Sequence, residues 1–198
     1  MKILISADIH GRKKAVDEIK IRVKKEKIDL VICAGDMSVF ERDIELILED
    51  LNSMGVPVLL IPGNHENIQK LFEISEKFEN LIDIHEATYQ VGDYVFVGFG
   101  NPGFALIDRD FEKFVAKLGN TLKGKKVILV THGPPYNTKL DYLDGEHVGC
   151  TSIRKFIEQN DNIILAVSGH LHENFGVEDK IGKIKVINPG PYGKVIEI

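Results

Sequence analysis

The chain has 198 residues, 43% apolar and 28% charged, and its 25 Lys and Arg against 30 Asp and Glu leave a formal charge of −5. That composition excludes a disordered chain, fits one compact domain over residues 1–198, and argues against a broad basic groove for long nucleic acid. The two cysteines, Cys33 and Cys150, are too few for a disulfide framework or a cysteine-based zinc site.

The first apolar run ends at Asp8, before a secretory hydrophobic region can form, so residues 3–7 read as a first strand of a cytoplasmic protein. Residues 13–25 follow with Val16, Ile19 and Val23 at helical spacing. Residues 30–34 are a second buried strand, and 43–54 a helix with Ile44, Ile47, Leu48 and Leu51 on one face. Residues 57–61 then read as a strand and 67–78 as a helix; this alternation is that of parallel β-α-β units. The middle differs: strands 87–91 and 94–99 enclose Gly92-Asp93, a hairpin turn signal. Residues 107–118 form a helix, 126–131 a buried strand, 151–159 a helix and 163–168 a strand. Short strands at 175–177, 184–187 and 194–198 lie between glycine turns. Residues 134–149 are the longest irregular stretch, and long ordered loops are often functional. No apolar run is long enough to span a bilayer.

The ends of five of these strands share a chemistry. After the first comes Asp8-Ile9-His10, after the second Gly35-Asp36, and after the third Gly63-Asn64-His65-Glu66. The 126–131 strand is followed by His132-Gly133, and the 163–168 strand by Gly169-His170-Leu171-His172. Ligand sites of open α/β sheets lie just outside the carboxyl ends of the strands, so parallel strands would bring all five clusters to one edge. Carboxylate, imidazole and amide oxygen without thiolate suit a hard or borderline divalent ion. Asp8 and His10 are two residues apart, as are His170 and His172, so on an extended chain each pair points to one face. Asp8, His10, Asp36, Asn64, His132, His170 and His172 are too many ligands for one ion with an open position, and suit two ions sharing a carboxylate. Two metals about 3.5–4 Å apart clamp the oxygens of an in-line phosphoryl displacement.

In this order, Asp-x-His, Gly-Asp, Gly-Asn-His-Glu, His and Gly-His-x-His resemble the calcineurin-like metallophosphoesterase superfamily, over most of the chain from Asp8 to His172. Thr131-His132-Gly133-Pro134-Pro135, Gly145-Glu146-His147-Val148-Gly149 and Asn188-Pro189-Gly190 resemble its branch of phosphoesterases related to cyclic-nucleotide phosphodiesterases. The resemblance implies an α/β (α+β) fold, a four-layer α-β-β-α sandwich of two mixed sheets flanked by helices. It implies that Asp8, His10 and His172 hold one metal, that Asn64, His132 and His170 hold the other, and that Asp36 bridges them. His65 would face the substrate phosphate.

A water bridging two such cations has its pKa lowered toward neutrality, and the resulting hydroxide would attack phosphorus in line. His65 would stabilise the phosphoryl oxygens and, protonated, could give a proton to the leaving oxygen. The expected activity is hydrolysis of small phosphodiesters, cyclic or small nucleotides among them, with manganese first among the metals and iron, nickel, cobalt and zinc open. A phosphomonoesterase, a nuclease and a non-enzymatic interaction module are the rivals, the last weakened by the intact ligand set. Small phosphoesters are the expected partners, with no membrane; monomer and dimer stay open.

Other residues carry less. His147 and Arg12 are candidate substrate contacts, set against a solvated loop histidine and a solvated helix-start arginine. Asp8 and Asp36 could also cap the helices that follow. Glu66 reads as the start of a helix, favoured there by the dipole, and His85 as surface or structural. Cys33 reads as inert core, whereas Cys150 opens a helix, where a thiol pKa can fall.

Overall fold

In the computed structural model, which describes residues 1–100 and 103–198, strand and helix alternate through the first half of the chain. The elements are β1 (Lys2–Ser6), α1 (Lys13–Glu26), β2 (Leu30–Ala34), α2 (Ile44–Asn52), β3 (Val58–Ile61), α3 (Ile68–Ser75) and β4 (Leu81–Asp83). The second half holds β5 (Ala87–Val91), β6 (Tyr94–Phe99), α4 (Arg109–Leu118), β7 (Lys126–Thr131), the small β8 (Tyr142–Leu143) and β9 (Glu146–His147), α5 (Thr151–Gln159), β10 (Ile163–Val167), β11 (Glu178–Ile181), β12 (Ile184–Ile187) and β13 (Lys194–Glu197).

One sheet runs β13-β1-β2-β3-β4, parallel except for the antiparallel edge β13. The other runs β11-β12-β10-β7-β6-β5, with four parallel central strands and antiparallel edges β11 and β5. Both faces of the central strands are buried, which is why they read as unbroken Val/Ile/Leu runs. Leu4, Val31, Val58 and Leu60 pack against α1 and α2 in one outer core. Ile5, Ile32 and Ile61 meet Phe96, Val130 and Val167 between the sheets. Val97, Leu129 and Ala166 pack against Phe111, Phe114 and Ile153 of α4 and α5. The chain is thus a four-layer sandwich of two mixed sheets flanked by helices.

Three local features differ from expectation. β4 has only three residues and ends in Asp83, too short to display a strand period. The strand expected at 175–177 begins instead at Glu178, because Gly176 turns with φ of 78°. α3 and α4 start later than expected: Asn67 caps α3 by accepting from the Lys70 N–H, and Asp108 caps α4 by accepting from the N–H groups of Asp110 and Phe111. Among the described residues, no helix is long and apolar enough to cross a membrane.

Asp83 gives the fold a pH-dependent weakness. Burial pushes its carboxyl up to about 6, against the pull of the His85 N–H that it accepts at 2.8 Å. An acid whose pKa rises on folding binds more protons when folded, so stability falls as pH climbs from about 4 to 6 and stays low above. Asp83→Asn keeps an acceptor for His85 and removes the charge. The variant should gain about 1–2 kcal/mol at pH 7.5, or a few degrees in Tm, and match the parent below pH 4. Thermal melts across pH 3–8 test this; a variant destabilised at pH 7.5 would refute it.

Candidate metal centre

β1, β2 and β3 deliver Asp8, His10, Asp36, Asn64 and His65 from one sheet, while β7 and β10 deliver His132, His170 and His172 from the other. Among these, Asp8–His10–His172, His10–Asp36–His65 and Asp36–His132–His170 form clusters whose ligand atoms lie within 4.8 Å of one another. Asn64 joins the last: its Oδ1 is 3.1 Å from His132 Nε2 and 2.9 Å from His170 Nδ1. All seven expected ligands, and His65, therefore meet at one edge.

The local backbone at these strand ends is not the expected one. Asp8 and His10 do not sit on an extended chain: β1 ends at Ser6, and φ is 56° at Asp8 and 47° at His10. Asp36 and His170 are also left-handed, at 52° and 71°. Such backbone is costly for residues with a side chain and persists where surrounding structure enforces it. Here the enforcement is visible. Asp8, His10 and Gly11 donate their backbone N–H to the carbonyls of Gly35, Asp36 and Met37, lacing the loops after β1 and β2 together. Arg12 donates to the Asp8 carbonyl at 2.7 Å. Neither Asp8 nor Asp36 caps a helix; the N-caps of α1 and α2 are Arg12 and Asp43.

Glycine is required where loops touch. A Cβ on Gly63 would collide with the Asp36 carboxylate, and one on Gly35, which has φ of 88°, would run into His132.

Hydrogen bonds fix which nitrogen of each histidine is free. A carbonyl only accepts, so His10 Nδ1 donates to Ser38 and His132 Nδ1 donates to Ala34, at 3.1 and 2.9 Å. Their Nε2 atoms then face inward, the usual arrangement behind a metal-ligating imidazole. His10 Nε2 lies 2.9 Å from His172 Nε2, and Asp36 Oδ2 lies 3.4 Å from His132 Nε2 and 3.6 Å from His10 Nε2. Imidazole nitrogens and a carboxylate that converge this closely are a donor set that fits divalent cations. His65 is built differently: the Phe40 N–H donates to its Nδ1 at 3.3 Å, so its own proton sits on Nε2, 3.9 Å from Asp36 Oδ2.

The charge states agree. Burial pulls His170 down to about 4, with His132 adding to the effect, and burial also lowers His10 and His172. These imidazoles are neutral at pH 7, the state a metal ligand needs. Burial pushes the Asp8 carboxyl up to about 6. For Asp36 and His132 burial opposes both charges, but their mutual attraction wins, holding Asp36 below and His132 above the ordinary range. Ligation at His132 must therefore expel a proton.

Glu66 is the residue sequence reasoning misplaced. It lies outside α3, buried, and its carboxylate accepts from the N–H groups of Asp36, Gly63 and Ser38 and from the Ser38 hydroxyl, all at 2.8–2.9 Å. It ties the loop carrying Asp36 to the loop carrying Asn64. Residues 134–149 are organised around a similar hub: buried Asp141 accepts from the N–H groups of Asn137, Thr138 and Gly149 and from His147 Nδ1 at 2.8 Å. His147 lies there beside Tyr136 and Tyr142 and belongs to none of the three clusters. His85 accepts from the Gly100 N–H, a structural role. Cys33 and Cys150 are both buried, and burial raises both thiols, so the helix start does not activate Cys150.

A two-sheet sandwich with a histidine–carboxylate cation centre at the strand ends defines a class of metal-dependent hydrolases. Residues 1–174 match the calcineurin-like phosphoesterase family, and the chain belongs to it. It is 35% identical to the uncharacterized protein MJ1162 of Methanocaldococcus jannaschii over 96% of this chain and 88% of that one. It is 26% identical to a probable cyclic nucleotide phosphodiesterase of Coxiella burnetii, over 75% of this chain and 62% of that protein. Among solved structures it resembles TT1561 of Thermus thermophilus, with a TM-score of 0.78 at 17% identity, covering 96% of this chain and 88% of the other. The family implies a hydrolase that uses divalent metal.

Proposed function

We propose that the chain hydrolyses small phosphodiesters at a pair of divalent cations. The observation that carries this reading is the position of Asp36: its Oδ2 faces His10, His65 and His132 at 3.4–3.9 Å, where the clusters overlap. Asp8, His10 and His172 would hold one cation, Asn64, His132 and His170 the other, and Asp36 both. When bound, the cations supply Lewis-acid charge and an activated water at neutral pH. Manganese is our first assignment for them.

The protein's own part is orientation. Ser38 and Ala34 carbonyls aim His10 and His132, and the backbone of His65 donates to Asp36 Oδ1 at 2.9 Å, fixing the bridging carboxylate. His65 offers an Nε2–H to a phosphoryl oxygen. Its Nδ1 is already accepting from Phe40, which favours a hydrogen-bonding role over the proton-carrying one expected from sequence. Bound cations would make the edge locally positive in a chain of charge −5, which suits a small anionic ester better than a long polyanion. Two unpaired, buried cysteines suit the reducing cytoplasm.

The test is metal analysis of protein purified without chelator, followed by turnover of bis(p-nitrophenyl) phosphate and of p-nitrophenyl phosphate. We expect about two equivalents of metal and faster hydrolysis of the diester; protein that binds no metal and cleaves neither ester would overturn the reading. His65→Ala should keep its metal while kcat/KM falls about 10²–10³-fold. A fully active His65→Ala enzyme would remove His65 from the chemistry.

A further inference from the structure

The centre is polar, yet three of its histidines each carry a phenylalanine. Phe40 lies on His65 with ring centroids 4.3 Å apart, Phe104 on His170 at 4.5 Å, and Phe175 on His172 at 5.0 Å. Phe175 is half-buried, but Phe40 and Phe104 are 75% and 61% exposed. Single exposed apolar side chains are ordinary. Two exposed rings in contact with histidines of different clusters, both clusters sharing Asp36, are not scattered at random.

Phe40 is also held there against its own preference. Its φ is 48°, and Glu41 and Asp43 follow at 62° and 55°. The turn is clamped by the Phe40 N–H to His65, by the Glu41 N–H to Ser38 Oγ, and beneath by Ser38 to Glu66. A bulky residue fixed in left-handed backbone beside reacting groups is strain retained at a working position. Nothing in the folding of the core calls for that ring, which lies in solvent.

We propose that Phe40 and Phe104 select the organic part of the ester. This rests on the phosphodiesterase reading: with the phosphate at the clusters, the ester substituent projects past His65 and His170 and meets the two rings. A planar base gains stacking and edge contacts from them, whereas a methyl or glyceryl group gains little. The preferred substrates are diesters whose non-leaving substituent carries a nucleobase or another flat aromatic group.

The test uses two esters with one leaving group: thymidine 5′-(p-nitrophenyl phosphate) and methyl p-nitrophenyl phosphate, with manganese-loaded enzyme. The parent should favour the nucleoside ester. Phe40→Ala and Phe104→Ala should each shrink that preference about tenfold, mainly through KM of the nucleoside ester, and Phe104→Trp should restore it. Equal losses on both esters would make the rings mere supports for the histidines, and no change in the ratio would leave them without a part in selection; either result overturns the proposal. So would variants that convert a dimer to a monomer in gel filtration while keeping the ratio, since the rings would then belong to an interface. If the parent cleaves neither ester, the phosphodiesterase reading fails instead.

Discussion

Asp36→Asn is expected to lose metal and about a thousandfold or more in kcat/KM. The substitution is nearly isosteric, and an amide oxygen can still accept from the His65 backbone, so the loop survives. What disappears is the charge at the overlap of the clusters. Oδ2 faces three Nε2 atoms within 3.9 Å, and an amide in its place cannot balance two cations. Several kcal/mol of charge stabilisation is the usual worth of such a centre, and each 1.4 kcal/mol or so is tenfold in rate. His132 also loses the partner that keeps it protonated without metal, so its pKa should drop toward that of a buried neutral histidine. Metal content by mass spectrometry and the diester assay together check this. A variant with two ions and parental turnover would disprove the bridging role.

Glu66→Ala should cost about 3–5 kcal/mol of stability and weaken metal binding about 10–100-fold. The cost comes from what is left behind. The N–H groups of Asp36, Ser38 and Gly63 lose their acceptor in a buried site, and each orphaned donor costs about 1–3 kcal/mol. Glu66→Gln should be milder, since one amide oxygen remains, but its NH₂ would face N–H groups that need acceptors. Chemical denaturation at saturating metal and in chelator separates the two effects. Equal stability of Glu66→Ala and parent would mean the loops are held by other contacts.

Strands such as β2, β3 and β10 were legible because burial leaves little but Val, Ile, Leu and small residues in them. The convergence of the candidate ligands was legible because each follows a strand end, where parallel topology gathers them. What stayed hidden depends on partners remote in sequence. Glu66 looks like a helix-start carboxylate, and only the loop some thirty residues earlier shows that it is a hub. The left-handed backbone at Asp8 and His10 falls on residues that bear side chains, and it replaces the extended geometry that spacing alone suggests. Asp141 organises the 134–149 loop through contacts no period encodes. The exposure of Phe40 and Phe104 is likewise invisible in sequence.

The layering bears on how the centre is tuned. Asp8, His10, Asp36 and Asn64 ride on one sheet, His132, His170 and His172 on the other, so the catalytic edge is a seam between two plates. A plate that slides over its neighbour opens or pinches that seam. Its gap is set by interleaved side chains such as Ile32 and Phe96, none of which is a candidate ligand. Trimming one of them should shift the spacing of the candidate ligands, and with it the turnover, while leaving the edge itself chemically intact.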